Sequence, residues 1–121
     1  MTQDRLSLDE LTCRLLRFRD ERDWRQFHSL KDLILSLNLE ASELLELAQW
    51  KKEAVFEAEA ADGVMRQRLQ EECADVLLYL LLIAERAGID LQLAAAEKIA
   101  ANDLKYPVEK SRGSATKYTE L

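Results

Sequence analysis

The sequence predicts an all-α protein, folded as a bundle of about four helices. Glycine and proline, which interrupt helices, number only 3 and 1 in 121 residues. Good helix formers recur throughout the chain, and their apolar members repeat at the spacing of a helix face. A length of 121 residues suits a single domain with its own core. The fold class therefore follows from composition, periodicity and length together.

The first half of the chain is expected to hold two helices. The first covers residues 7–21, where Ser7 and Glu10 form a capping-box pattern. A link leads to the second helix over residues 30–52, for which Ser29 is a suitable N-cap. Residues 53–62, rich in Ala and Glu, either extend the second helix or form a short helix of their own, and the sequence leaves both open.

The third helix begins at Val64 or Arg68 and ends at Ala87, because the following Gly88 is typical of a helix C-terminus. Its segment 76–84 is apolar on every side. A helix of this kind is normally buried on all faces, and a four-helix chain this small cannot easily bury it by itself.

The fourth helix begins after Asp90, a good N-cap, and ends near Tyr106, because Pro107 cannot continue the hydrogen-bond ladder. The polar residues beyond it are expected to form a loop. The sequence thus predicts one domain over residues 1–107 and a C-terminal tail over residues 108–121.

Charge and rare residues exclude several classes of protein. The net charge of −6 argues against a nucleic-acid polymer as partner, since such binding depends on Lys and Arg. The longest apolar run, residues 76–84, is shorter than the roughly 20 residues that span a membrane. A single histidine and three glycines leave no multi-His metal site and no Gly-rich phosphate loop. Because residues 1–9 contain no apolar stretch, we expect no leader peptide and a cytoplasmic protein.

Four carboxylates lie on apolar helix faces. Glu40 falls inside the apolar arc of the second helix, and Glu43 lies on its flank, so that both can point at one spot. On the third helix, Glu72 and Asp75 share a stripe with Tyr79. Buried anions are tolerated only when paired or bound to metal, and no Lys or Arg lies on these stripes. Oxygen ligands of this kind suit Mg²⁺, or Mn²⁺.

The fourth helix carries a polar stripe of Lys98, Asn102 and Lys105 at i, i+4 and i+7. Two cations and an amide on one face can hold phosphate oxygens. A solvated basic face explains the same pattern equally well, and the residues alone do not decide between the two.

Aromatic side chains cluster near the ends of the second helix. Trp24, Phe27 and His28 lie in the link before it, and Trp50 lies at its end. Aromatics beside a metal site can stack on a nucleobase, although packing in a core or an interface is the commoner fate.

Together, these motifs resemble the MazG-like all-α nucleotide pyrophosphohydrolases, and most of all their dCTP pyrophosphatase subgroup. The resemblance rests on Glu40-x-x-Glu43 followed by Glu72-x-x-Asp75. The stretches that carry it span nearly the whole chain: ERDWRQFH (21–28), LEASELLELAQWK (39–51), EECADVLLY (71–79), KYP (105–107) and KYTEL (117–121).

The resemblance implies an enzyme that hydrolyses a nucleoside triphosphate to a monophosphate and pyrophosphate, with dCTP or a modified dCTP as substrate, in nucleotide-pool house-cleaning. It implies Mg²⁺ held by four catalytic carboxylates, those of Glu40, Glu43, Glu72 and Asp75. It also implies two sets of substrate-binding residues: phosphate contacts from Lys98, Asn102, Lys105 and Tyr106, and a base and sugar pocket shaped by Trp24, His28, Trp50 and Tyr79.

Members of this family assemble as dimers and tetramers, so the resemblance implies a homodimer or homotetramer. The all-apolar third helix favours self-association independently. Two alternatives stay open: a non-catalytic helical module for oligomerisation or partner binding, and a related phosphohydrolase acting on a nucleotide sugar or phosphoribosyl-ATP.

Overall fold

The structure, a computed structural model, describes residues 5–120, and no strand occurs among them. The α-helices are α1 (Leu8–Glu21), α2 (Leu30–Ala48), α3 (Glu53–Ala60), α4 (Gly63–Ala87), α5 (Leu91–Lys105) and α6 (Val108–Ser111), with 3₁₀ turns at Arg25–Phe27 and Tyr118–Glu120. The prediction of an all-α protein is confirmed. Residues 1–4 of the predicted domain, part of the segment in which no leader peptide is expected, and Leu121 of the predicted tail lie outside the described residues.

The chain divides into two compact units, Met1–Gly88 and Ile89–Leu121. In the first unit, α4 is the central helix, because α1, α2 and α3 all pack against it. Its core contains Leu33 of α2 together with apolar residues near the end of α4. The domain and tail predicted to meet at residue 107 stay a prediction.

Burial of α4 within the first unit is incomplete. Leu81, Leu82 and Ala84 are buried, but the remaining residues of the segment 76–84 are half-buried. The three neighbouring helices of this unit cover α4 only in part, as the sequence analysis expects of a chain this small.

The helix starts follow the predicted caps. Ser7 Oγ accepts a hydrogen bond from the Glu10 amide at 3.1 Å, and Glu10 Oε1 accepts one from the Ser7 amide at 3.3 Å. Ser29 Oγ accepts from the Asp32 amide at 3.1 Å. These side chains satisfy amides that have no partner inside their helices.

The end of the second helix differs from its prediction. Helix α2 stops at Ala48 rather than at residue 52, because Trp50 has a φ of 67°, which no residue of a right-handed helix adopts. Between the two possibilities left open for residues 53–62, the structure has the separate helix α3.

The third helix ends as predicted, since Gly88 takes the left-handed conformation, with φ 68°. Within the second unit, Asp90 caps α5 by accepting from the Leu93 amide at 3.1 Å. The loop predicted after Pro107 is wrong in part, because this proline begins α6: its carbonyl accepts hydrogen bonds from the Lys110 and Ser111 amides. In the described range, no helix is both long and apolar enough to cross a membrane.

Candidate active site

Three glutamates meet where α2 packs on α4. Glu40 and Glu43 lie one turn apart on α2, and Glu72 faces them from α4. One carboxylate oxygen from each residue lies within 4.8 Å of the other two. The spacing of three residues puts the α2 pair on one side of its helix, and the packing of α2 along α4 brings the third carboxylate to the same place.

The glutamate trio, as we call Glu40, Glu43 and Glu72, is electrostatically unsatisfied. Glu40 Oε2 and Glu72 Oε2 are buried and have no hydrogen-bond partner among the described residues. Burial, followed by the charge of Glu43, raises the pKa of Glu40 above its ordinary value. Burial, followed by the neighbouring carboxyl group of Glu43, raises the pKa of Glu72. Such oxygens need a positive partner.

A metal ion fits this need. Within residues 5–120, the ion pairs formed by Lys and Arg involve other carboxylates, so none neutralises the glutamate trio. The available donors are all carboxylate oxygens, which are the ligands that hard divalent cations prefer. The glutamate trio could therefore hold a metal ion.

Asp75 lies one helical turn beyond Glu72 on α4 and stands apart from the trio. Its negative charge nevertheless contributes to the raised pKa values of Glu40 and Glu72. The same side chain lines a neighbouring cavity. Asp75 therefore connects the glutamate trio to that cavity.

This cavity, which we call the aromatic cavity, has a volume of about 240 Å³ and lies between α1, the link after it and α4. Its lining is mostly apolar and aromatic, and consists of Leu15, Phe18, Arg19, Trp24, His28, Asp75, Leu78, Tyr79 and Leu82. The structure thus brings together Trp24, His28 and Tyr79, three of the four residues that the resemblance places around a base and sugar. Their role in binding stays a prediction.

Besides Asp75, the side chains of Arg19 and His28 place polar groups in the wall of the aromatic cavity. Arg19 is 5% exposed; its Nε donates to Asp20 Oδ1 at 2.8 Å and its Nη1 to Glu85 Oε2 at 3.2 Å. His28 Nδ1 is buried without a partner among the described residues. Burial, and then the positive charge of Arg19, lower the pKa of His28, so its imidazole is neutral at pH 7.

Trp24 is held at the edge of the aromatic cavity by other side chains. Its ring packs edge-to-face on Phe18, with ring centroids 5.6 Å apart. The guanidinium of Arg22 lies 3.8 Å from the centre of the Phe18 ring. This packing fixes the indole while leaving it 43% exposed, so one part of the ring remains available to a ligand.

The sequence analysis missed Leu15, Phe18 and Arg19 as lining residues. The first two belong to the apolar stripe of α1, a pattern that by itself indicates core packing. Arg19 had a clearer signal, because at 100° per residue it falls between Leu15 and Leu16, inside the apolar arc of its helix. A charged residue inside an apolar arc is the same anomaly that singles out Glu40.

Beside the glutamate trio, a second and wider cavity of about 590 Å³ opens to solvent. It is lined by Glu43, Glu46, Leu47, Arg68, Glu71 and Glu72. A charged molecule can therefore reach the carboxylates of Glu43 and Glu72 from outside the chain.

The remaining predicted residues lie elsewhere. Trp50 follows α2, is 94% exposed and does not line the aromatic cavity. In the second unit, Lys98, Asn102 and Lys105 are exposed on α5. Tyr106 packs edge-to-face on Tyr118, with centroids 6.0 Å apart, and Lys105 Nζ lies 5.0 Å from the centre of the Tyr118 ring. Their contacts with substrate stay predictions.

Comparison with curated proteins gives relatives of one kind. The chain is 48% identical over 104 residues to dCTP pyrophosphatase 1 of Rattus norvegicus and 44% identical over 104 residues to dCTP pyrophosphatase 1 of Homo sapiens. Each match covers 86% of this chain and 61% of the relative. The chain therefore spans less than two thirds of the length of these relatives.

A solved structure is similar over most of its length. The match to a pyrophosphatase from Archaeoglobus fulgidus has a TM-score of 0.77 and 36% sequence identity, and it covers 88% of this chain and 98% of that one. The family model described as MazG-like matches residues 35–121, a range that includes both carboxylate motifs. These matches confirm the resemblance read from the sequence, and the chain belongs to the MazG-like family.

Proposed function

We propose that the protein is a Mg²⁺-dependent nucleoside triphosphate pyrophosphohydrolase. Its substrate is a deoxynucleoside triphosphate, namely dCTP or a modified dCTP, and its products are the monophosphate and pyrophosphate. One observation carries the proposal: the unneutralised glutamate trio adjoins an aromatic cavity through Asp75. The names of the curated relatives support both the reaction and the base.

Glu40, Glu43, Glu72 and Asp75 would hold the metal. Bound Mg²⁺, or Mn²⁺ in its place, supplies positive charge that offsets the triphosphate and the charge developing on the leaving pyrophosphate. The orphaned oxygens of Glu40 and Glu72 support this ligand assignment.

The carboxylates also account for the proton. Water attacks the α-phosphorus, a new phosphorus–oxygen bond forms, and the bond to the β-phosphate oxygen breaks as pyrophosphate leaves. A carboxylate of the site accepts the proton from the attacking water and passes it to solvent. A carboxylate with a raised pKa suits this role, because its proton affinity lies closer to the working pH.

Recognition divides between the two ends of the nucleotide. Trp24, His28 and Tyr79 contact the base and sugar, which the aromatic cavity supports. Trp50, which does not line that cavity, contacts the base from outside it. The phosphates are contacted by the cations and polar groups of the second unit, which are Lys98, Asn102, Lys105 and Tyr106.

Self-association as a dimer or tetramer belongs to the same proposal. Helix α2 exposes large apolar side chains at between 51% and 65% of their surface: Ile34, Leu35, Leu39 and Leu45. Apolar surface of this extent favours a protein partner, and α4 remains only half-covered in the first unit. Sedimentation equilibrium tests this part, and a monomer at micromolar concentration contradicts it. A cytoplasmic location for pool cleaning completes the proposal.

Product analysis tests the reaction. The protein is incubated with dCTP, dTTP, dATP and dGTP in the presence and absence of Mg²⁺, and the products are separated by ion-exchange chromatography. We expect dCMP and pyrophosphate from dCTP with Mg²⁺, and no turnover with EDTA. Formation of dCDP and orthophosphate contradicts the mechanism, and the absence of turnover contradicts the proposal as a whole.

A further inference from the structure

We infer that Arg19 determines the choice of nucleobase, by donating hydrogen bonds to two adjacent acceptors on the edge of cytosine in the aromatic cavity. This inference rests on the proposed function, because it assigns a role within the same site. It concerns a residue in the wall of the aromatic cavity that neither the metal site nor the stacking aromatics involve.

Arg19 has N–H donors that no described residue engages. A guanidinium carries five N–H groups in a fixed planar fork. Among the described residues, Asp20 accepts from Nε and Glu85 accepts from Nη1. Three N–H groups, one on Nη1 and two on Nη2, have no partner in residues 5–120. Nη2 is not among the nitrogens that are buried without a partner, so its N–H groups reach open space and are free to bind a ligand.

The guanidinium of Arg19 is held at the aromatic cavity. Arg19 lines the cavity and is 5% exposed, so its side chain has little freedom to turn away. Glu85 lies on α4 and Asp20 follows Arg19 on α1, and the two carboxylates hold the guanidinium from two sides. A donor group fixed in this way loses little entropy when it binds a ligand.

The size of the aromatic cavity limits the ligand that it can hold. A volume of about 240 Å³ lies below the roughly 300 to 1,000 Å³ typical of pockets for drug-sized ligands. The aromatic cavity therefore takes one ring system rather than a whole nucleotide. Trp24 and Tyr79 supply aromatic surface for that ring.

The acceptors on the edge of cytosine match the N–H donors of the Arg19 guanidinium. On its pairing edge, cytosine presents O2 and N3, two neighbouring acceptors, and an N4 amino group. Uracil and thymine present O2 as an acceptor but N3–H as a donor, which opposes a guanidinium donor. A fork of N–H groups therefore favours cytosine, in the way that arginine favours the paired acceptors of guanine in DNA recognition. The neutral imidazole of His28, whose Nδ1 is buried without a partner in the described range, can face the N4 amino group.

The test compares Arg19→Lys with the wild-type protein on dCTP and dUTP, whose bases differ only at positions 3 and 4. Lysine keeps the charge for Asp20 and Glu85 but lacks the fork. One bidentate contact discriminates between bases by about 5- to 150-fold. We expect the ratio of kcat/KM for dCTP to that for dUTP to fall by this factor, mainly through a higher KM for dCTP. Arg17→Lys, an exposed arginine on the same helix, is the matched control and should keep the ratio.

A second measurement uses only the wild-type protein, in case Arg19→Lys fails to fold. The 3-deaza analogue of dCTP replaces the N3 acceptor by C–H, and the pyrimidin-2-one analogue keeps both acceptors while lacking the amino group. We expect 3-deaza-dCTP to lose about 5- to 150-fold in kcat/KM and the pyrimidin-2-one analogue to lose less.

The outcomes separate this inference from the proposed function. Turnover of dCTP with an unchanged base ratio in folded Arg19→Lys, or equal turnover of dCTP and 3-deaza-dCTP by the wild type, overturns the role of Arg19 and leaves the reaction standing. Absence of pyrophosphate release from every nucleotide overturns both.

Discussion

Glu40 on α2 and Glu72 on α4 each bury one carboxylate oxygen, Oε2, that accepts no hydrogen bond from any described residue. Both belong to a trio whose oxygens lie within 4.8 Å of one another. Like charges held this close, and partly removed from water, oppose folding. The metal-free chain therefore carries a like-charge repulsion that a divalent cation would relieve, so metal binding at this site would also stabilise the fold.

Replacing Glu40 or Glu72 by Gln should separate activity from stability. Each substitution removes a charged ligand at nearly constant size. Loss of a residue that only supports a metal ligand reduces activity by roughly 10- to 100-fold. We therefore expect loss of a ligand itself to reduce kcat/KM for dCTP by at least this factor. The metal-free variants should melt at higher temperature than the wild type, while Mg²⁺ should stabilise them less. Thermal melts with EDTA and with Mg²⁺, alongside steady-state kinetics, measure both effects.

Glu57→Gln is the matched control, because this exposed glutamate of α3 lines neither cavity and stands apart from the trio. It should melt at the same temperature as the wild type and respond normally to Mg²⁺. An amide variant of Glu40 or Glu72 with wild-type turnover would show that its carboxylate is not a ligand.

The contribution of Glu40 and Glu72 to the stability of the metal-free protein should fall as the pH rises. Burial raises the pKa of both Glu40 and Glu72 in the folded chain, so the folded state holds these protons more tightly than the unfolded state. Their contribution is therefore fully present below the ordinary glutamate pKa of about 4.3 and is lost as the pH rises through the raised values. Melts of wild type and Glu40→Gln with EDTA from pH 4 to pH 8 check the sign, since the advantage of the variant should grow with pH. A constant difference would contradict it.

Stacking on the base should depend on Trp24. A second test at Trp50 is simple to interpret, because this side chain packs against little of its own chain. Trp24 lines the aromatic cavity, and Trp24→Ala should raise KM by about 5- to 150-fold, to an extent that varies with the base. Trp50 is 94% exposed, so Trp50→Ala removes almost no packing within the chain. Any change in its KM for dCTP, dTTP or dATP therefore reports a contact with substrate or with another subunit. If Trp50→Ala leaves KM unchanged for all three, its place in the base pocket is wrong.

Lys98 should act on the phosphates whatever the base. The triphosphate is common to all substrates, and negative charge builds on the pyrophosphate as it leaves, so a lysine there assists the reaction as well as binding. Lys98→Ala should lower kcat and raise KM by the same factors for dCTP, dTTP and dATP. Separate determination of kcat and KM for the three nucleotides checks this, and a base-dependent loss would contradict it.

The end of α4 offers a prediction about stability alone. Gly88 has a φ of 68° and no atom within 4 Å of the position a Cβ would take. Gly88→Ala therefore meets only backbone strain, which costs about 1 to 2 kcal/mol. Chemical denaturation should show this loss. Gly113→Ala, at a φ of 73° and equally open, is the comparison: a much larger loss at Gly88 alone would mean that it has a role beyond its conformation.

Sequence predicted the fold and the acidic part of the site because both depend on local periodicity. Caps such as Ser7, and stops such as Gly88, act within one turn of their helix and can be recognised without tertiary information. Glu40 was found because a charge in an apolar arc is improbable. The end of α2 was missed, since nothing in the residue type of Trp50 indicates a left-handed backbone.

The aromatic cavity shows the limit of that reasoning. Leu15 and Phe18 face it from α1, while Tyr79 faces it from α4, and only tertiary packing brings them together. An apolar stripe looks the same whether it fills a core or lines a cavity. The sequence therefore grouped Trp24, His28 and Tyr79, which line the cavity, with Trp50, which does not, and it could not define the cavity or its polar wall.

Helix α4 also fixes the distance between the glutamate trio and the aromatic cavity. Glu72, Asp75 and Tyr79 follow one another along one face of it, so the first belongs to the glutamate trio, the second to both features and the third to the aromatic cavity. With a rise of about 1.5 Å per residue, the backbone separation between Glu72 and Tyr79 is about 10 Å, and a rigid helix keeps it constant. One inserted residue would turn everything beyond it by about 100° and break the alignment. Under the proposed function, substitutions in the wall of the aromatic cavity would change which base is bound without moving the site of phosphate-bond cleavage.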